Sequence, residues 1–556
     1  MKKTFLLFTL LLLLGSLQTL SAERYHVKVD GDDWADGRSW KQAFATLQKA
    51  LNQAKLDDEI WVAAGVYTPT ESAMEGYDGD TRRSNSFMLT EGVKLYGGFP
   101  AEGNPGMAQR NWETHITTLS GNIGDPRQEI DNVYHVVMAL NLVAKTLMDG
   151  FVISGGRADD IEATVSAKGS SFKHGFGGGI FCHKASLVLQ NIIFQHNYAI
   201  YGGAMLNDQS ESSLYRVTFK ENTADKNGGG MNSMKSTPSL KEVVFYRNVA
   251  AWGGGLMIDD EASPSLQDVV FEGNAAVSGG GGGLYISTGS CPRLEGLTFK
   301  YNSADQGGGG LFNGEQTKPV LYKVSFLENS AAWGGAILNY NTAAPLLNQV
   351  IISGNSATKN GGGISNYAEA RPLLCNVLIS GNNAPEGGGI YNKGCTPLLF
   401  HVTLAANYAE SGSAMLNNEA APELHNCLII DNYSGVLNTA SIPQYNHSMV
   451  QGMTAYQLNN TGGEGNVDAA DAKLVFVDPA GPASTASVRG NYHLAKGSPV
   501  AGKGSSKLWE QRLPRFDGKS LTDYLASLGL PMEDLDGKPR KAEATDLGAY
   551  VVAATK

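Results

Sequence analysis

Ten asparagines recur between Phe194 and Asn438 at intervals of 25 to 28 residues: Asn197, Asn222, Asn248, Asn274, Asn302, Asn329, Asn355, Asn382, Asn407 and Asn432. A fixed period of this length marks a stacked array of small structural units. Each period carries an Asn-x-Ala step, a glycine run, an apolar pair with Asn, and Pro-x-Leu-x-x-Val-x-Phe, as in Pro238, Leu240, Val243 and Phe245. The apolar runs are short, alternate in polarity, and lie between Gly, Asn, Ser and Pro. Such runs are strands, not helices. A period without a helical segment cannot be a helical or leucine-rich repeat. It suits one coil of a parallel β-helix, which pairs with the next coil along its length.

Equivalent positions then stack about 4.8 Å apart. Three residues before each Asn stand Phe194, Phe219, Phe245, Phe271, Phe299 and Phe326, followed by Ile352, Ile379, Leu404 and Ile429. A column that is never polar is an interior ladder. The asparagines are expected to point inward and to hydrogen-bond turn backbone, because an unpaired buried amide costs roughly 1–3 kcal/mol. An asparagine-lined ligand groove is the other reading of the same column. Alanines two residues after the Asn mark a tight corner, prolines from Pro238 to Pro422 mark strand entry, and the glycines supply a left-handed bend.

At these residues the chain resembles a known family. Tyr201-Gly202-Gly203-Ala204-Met205 and Trp333-Gly334-Gly335-Ala336-Ile337, each tied to Phe-x-x-Asn, are similar to the repeat of polymorphic outer-membrane proteins. More broadly the chain resembles the right-handed parallel β-helix proteins exported by Gram-negative bacteria. The resemblance implies an all-β, right-handed parallel β-helix, a surface or secreted location, and an adhesive role. It carries no catalytic residues. That family ends in a transmembrane barrel. Residues 439–556 lack the successive alternating strands such a barrel needs, so self-export is not expected.

Residues 1–22 read as a Sec-type signal, with Lys2 and Lys3 before the apolar Phe5–Leu14 stretch. Residues 23–62 read as a first strand and an N-terminal capping α-helix. Ser39 to Gln42 offers a capping box, and Trp40, Phe44, Leu47, Leu51 and Ala54 follow at helical spacing. A solenoid needs such a cover over its first coil. Residues 63–190 read as irregular coils with insertions, including a charged loop over Tyr77–Asn85 and a polar excursion over 157–176. Residues 191–438 are the regular coils. Residues 439–556 read as irregular coils and a closing segment, with a short inserted helix at Leu521–Leu528.

The formal charge of −11 argues against nucleic acid and anionic membrane partners, and no segment after the signal is long and apolar enough to span a bilayer. The five cysteines hold no matching positions in neighbouring coils, so free thiols are expected. The turn Asp259-Asp260-Glu261 has the oxygen ligands calcium prefers, or is a solvated turn; no cofactor is expected. Glycoside hydrolysis needs two carboxylates at a defined separation, and no matched pair is visible among the coils. Four residues after each Asn lies a column of mixed polarity: Tyr201, Lys226, Trp252, Ser278, Gln306, Trp333, Lys359. Aromatic rings on a ridge can stack sugar rings, so Tyr201, Trp252 and Trp333 form a candidate glycan stripe. The competing reading is that these rings cover neighbouring glycines. The functional expectation is a monomeric exported scaffold that binds a polysaccharide or a host surface. A polysaccharide lyase or glycoside hydrolase on the same fold, and a structural envelope protein, are the alternatives.

Overall fold

The computed structural model describes residues 22–72, 74, 82–125, 127–469, 475–511, 516, 518–540 and 545–552. The expected export signal, apart from Ala22, and most of the Tyr77–Asn85 loop lie outside the described residues.

The chain is an all-β right-handed parallel solenoid. One coil shows how the sequence makes it. Ser239–Lys241, Val244–Tyr246, Val249–Ala250 and Leu256–Asp259 are four short strands. Left-handed residues at Glu242 (φ 54°) and Arg247 (φ 51°) turn the first corners. Gly253 supplies another positive φ, 63°. Gly254 is required for a different reason: a Cβ there would sit 2.4 Å from the Ala275 carbonyl oxygen of the next coil. Each strand pairs in parallel with its successor at equal register, as in Leu240 with Leu266, Phe245 with Phe271, and Leu256 with Leu284. Repetition yields a 26-stranded sheet carrying two adjacent ladders, a 13-stranded sheet and a narrow 8-stranded sheet. Together they enclose one continuous apolar core.

Equal register stacks identical side chains. The rings of Phe194, Phe219, Phe245, Phe271, Phe299 and Phe326 lie 4.6–4.9 Å apart and within 6° of parallel. Behind them runs the inward asparagine ladder. Asn302 Nδ2 donates to Asn329 Oδ1 and to the Phe271 carbonyl, both at 2.9 Å, while Asn302 Oδ1 accepts from the Asn274 backbone N–H at 3.0 Å. Every amide from Asn197 to Asn407 is satisfied this way by its neighbour, which is the backbone-pairing role expected of the column. A second ladder joins Asn313, Asn339, Asn366, Asn392, Asn417 and Asn438 at 2.7–2.8 Å.

The N-terminal cap differs from expectation. Ser39 caps nothing, and Trp40–Gln42 is a single 3-10 turn. The α-helix is only Leu47–Gln53, capped by Thr46, whose Oγ1 accepts from the Lys49 N–H. Residues between them are held extended, because Phe44 N donates to His26 O and Phe44 O accepts from Lys28 N. Trp40 instead joins a separate cluster with Trp61 and Phe99. Leu47, Ala50 and Leu51 still close the end of the core.

The 157–176 excursion holds an antiparallel hairpin, Thr164–Ala167 with Ser170–Lys173. At the far end the last rungs, Gln444–Asn446 and Met449–Val450, are followed by a helix at Ala455–Asn459 whose Leu458 packs into the core with Tyr445. After it, Val467 still bridges in parallel to Met449, and the described residues from Val475 onward run back along the outside. Phe476, Tyr492, Leu494 and Leu547 pack on Leu378 and Leu428. Trp509, Phe516 and the helix Leu521–Ser527 cover Leu346, Leu373 and Phe400. The reason is local: Leu346–Ser353, Leu373–Ser380 and Leu398–Ala405 are single long strands spanning both ladders. Their apolar residues face outward as well as inward, as in sheets covered on both faces.

Candidate functional site

The 13-stranded sheet presents an outward column that is apolar where solvent would favour polar residues: Met257, Tyr285, Phe312 and Leu338 stand in register on successive rungs. Beside it, on the narrow sheet, runs the column holding Trp252 and Trp333. Its true membership differs from a fixed count from each Asn. Tyr201 pairs with Asn227, Asn227 bridges to Trp252, and Trp333 pairs with Gly307 and Asn360. A β-bulge inserts one residue in the coils carrying Lys226, Gln306 and Lys359, which moves those three side chains out of the column. The positions between the two tryptophans are therefore glycines: Gly280, whose carbonyl accepts from Gly253 N, and Gly307.

Between the two tryptophans lies a groove of about 600 Å³. A Cβ at Gly280 would fall 2.5 Å from the Phe312 ring, and one at Gly307 2.3 Å from Leu338. Tyr285, Phe312 and Leu338 make the floor, and Tyr285 stacks on Phe312 at 4.5 Å and 10°. Trp252 stands edge-on to Tyr285 at 5.6 Å. Lys359, from the following rung, lies over Trp333 at 4.0 Å. The opposite wall is built from turns after the 13-stranded sheet, through Thr288, Gly314, Glu315, Tyr340 and Asn341. Tyr340 is 48% exposed, a large ring presented to solvent. Burial, with Asp259 nearby, pushes the Tyr285 phenol up to about 12, so it stays a neutral hydroxyl at physiological pH.

Trp252 and Trp333 thus line one groove, three rungs apart, about 14 Å at the strand spacing. Tyr201 does not join them; its ring packs on Phe176 at 5.5 Å. Trp252 also covers a glycine, since a Cβ at Gly279 would lie 2.2 Å from the indole. Tyr285, Phe312, Leu338 and Tyr340 escaped the sequence reading. The signal was present in part: on four successive strands after the glycines the second residue is apolar (Met257, Tyr285, Phe312, Leu338), flanked by Asn232 and Ser365 in the same column.

Among the described residues lining the groove, Glu315 is the one carboxylate, and none is Lys, Arg or His. Asp259, Asp260 and Glu261 form a turn in which Asp259 Oδ1 accepts from Asp260 N and Asp260 faces Lys235 at 3.9 Å. Among the described residues no group of three or more His, Cys, Asp or Glu converges for a metal ion. All five cysteines are free, and four are buried. Burial holds Cys182, at about 11, and Cys427, at about 12, as thiols. Among the described residues no helix is long and apolar enough to cross a membrane.

Comparison with known proteins agrees on the class. Residues 129–331 match the model of the right handed beta helix region, which defines a right-handed parallel β-helix protein. Residues 349–367, within one period of the array, match the Chlamydia polymorphic membrane protein repeat. No curated protein matches the chain significantly. Similar solved structures include the pectate lyase Pel9A, at 11% identity over 96% of this chain and 97% of that one, TM-score 0.29. The catalytic domain of a GH87 alpha-1,3-glucanase in complex with tetrasaccharides is 12% identical over 72% and 65%, TM-score 0.38. A GH136 lacto-N-biosidase from Eubacterium ramulus is 11% identical over 73% and 68%, TM-score 0.26.

Proposed function

We propose that this protein is an exported, surface-associated β-helix that binds an extended polysaccharide in the Trp252–Trp333 groove. The observation that carries the reading is the pair of indoles set three rungs apart over two glycine rungs, with an aromatic floor between them. Flat, rigid rings at a regular spacing suit stacking against successive sugar rings, and the polar wall of Thr288, Tyr340 and Asn341 offers hydroxyl and amide partners. Surface location is supported by the polymorphic-membrane-protein type of repeat and by the signal-like residues 1–22.

Binding without turnover is the better reading of this groove. Acid–base cleavage of a glycosidic bond uses two carboxylates, and Glu315 stands without a second one in the described lining. The test is retention of residues 23–556 on a panel of neutral and acidic polysaccharides, with reducing and unsaturated ends followed in the same tubes. Retention without product, abolished in the Trp252→Ala/Trp333→Ala double variant, is the expected result. Product release would make the lyase or hydrolase reading correct instead. Retention that the double variant keeps would remove the groove from the account.

A further inference from the structure

The geometry points to a neutral glycan of at least four sugar units as the ligand of this groove, an inference that rests on the groove being a glycan site. Two features carry it. The first is charge. A polyuronate needs cations to replace its lost hydration, and no Lys, Arg or His is among the described lining residues. The ammonium of Lys359 lies over the Trp333 ring at 4.0 Å and keeps its charge there, so one cation at this end faces one carboxylate, Glu315, and the groove has no positive excess. Glu315 on the opposite wall opposes a carboxylate directly, in a chain of formal charge −11.

The second is length. Rungs are about 4.8 Å apart, close to the length of one sugar ring in an extended glycan. Trp252 and Trp333 are separated by the rungs of Gly280 and Gly307. A ring stacked on each indole therefore belongs to the first and fourth units, and the two units between them lie over Tyr285 and Phe312. Gly280 and Gly307 let Phe312 and Leu338 lie down against the narrow sheet as the floor under those middle units, because a side chain at either position would run into them. A disaccharide reaches one indole only.

The experiment is titration of the full mature chain with chemically defined oligosaccharides, read by tryptophan fluorescence and calorimetry. Neutral gluco-, xylo- and manno-oligosaccharides from dimer to hexamer are compared with oligogalacturonates of equal length and with an alkyl-chain detergent below micelle formation. The expected result is a neutral series whose tetramer binds about tenfold or more tightly than its dimer, with little gain beyond. The matching oligogalacturonate binds about tenfold more weakly, and the Trp252→Ala/Trp333→Ala variant loses the signal. Oligogalacturonate binding as tight as the neutral tetramer, or a dimer as tight as the tetramer, overturns the inference while leaving a glycan groove in place. Binding of the detergent alone, or of no probe at all, overturns both the inference and the reading beneath it.

Discussion

Asn302 donates its side-chain amide to Asn329 at 2.9 Å and receives the backbone N–H of Asn274, so each member of the ladder is donor to one coil and acceptor for another. Replacing Asn302 by Ala strands the Asn274 backbone N–H, leaves the Asn274 Nδ2 with only the Phe245 carbonyl, and removes the side-chain donor to the Phe271 carbonyl. A buried group left unpaired costs roughly 1–3 kcal/mol. Asn302→Ala is expected to destabilise by about 3 kcal/mol, measured by urea unfolding, and Asn302→Leu by as much despite its larger apolar surface. A shift below about 1 kcal/mol would mean that water replaces the ladder.

The phenylalanine stack makes a different prediction. Phe271 is fully buried between rings 4.7 and 4.8 Å away. Phe271→Ala opens a cavity and should cost about 4 kcal/mol, whereas Phe271→Leu, on the pattern of Ile352 and Leu404 in the same column, should cost about half of that. Thermal melts of the two variants decide it.

His135 predicts a pH dependence. Its ring lies fully buried, within hydrogen-bond distance (3.1 Å) of the Gly177 carbonyl through Nδ1, and Nε2 faces His174 Nδ1 at 3.4 Å. Burial lowers its pKa from 6.5 to about 4. The unfolded chain therefore takes up a proton that the folded chain refuses between those values, and stability falls as pH drops through that window. It is whole above pH 6.5 and lower by about 3 kcal/mol near pH 4 from this group. His135→Gln is expected to flatten the melting temperature against pH between those limits; an unchanged slope would assign the effect to other groups. His174 and His401, both held down by burial, act in the same direction.

Arg540 fastens the returning C-terminal segment. It donates Nε to Asn376 Oδ1 at 2.7 Å and Nη2 to the Gly548 carbonyl at 2.9 Å. Burial lowers its pKa to about 10, still charged at neutral pH. Arg540→Ala is expected to cost about 2 kcal/mol and to expose residues 475–552 to limited proteolysis before the coils are cut. Simultaneous cleavage of both regions would show instead that the segment and the coils open as one unit.

Gly307 tests the groove without touching an aromatic wall. A Cβ there meets Leu338 at 2.3 Å, so Gly307→Ala must push Leu338 toward the groove. Glycan retention is expected to fall about tenfold with the melting temperature nearly unchanged. Retention equal to the parent chain would place the ligand elsewhere.

What the residues alone determined is whatever repeats. A period near 26, an invariant Asn and an apolar column specify a coil, its interior and its neighbour, because in a solenoid the partner of each residue is its own counterpart one period away. Asn329, Phe271 and Ala276 were legible for that reason. The tertiary structure decided what breaks the repeat. The bulge that removes Lys226, Gln306 and Lys359 from the tryptophan column is a backbone adjustment of one residue, invisible to counting from the Asn. The pairing of Phe44 with His26 and Lys28 shortened the expected helix, because a strand ladder offered those residues better backbone partners than a helical turn. The return of Trp509, Leu521 and Tyr550 onto the long strands joins residues more than a hundred positions apart. The groove belongs to this second kind. Trp252 and Trp333 were visible as rings, but only the side-by-side packing of two sheets set Tyr285 and Phe312 between them.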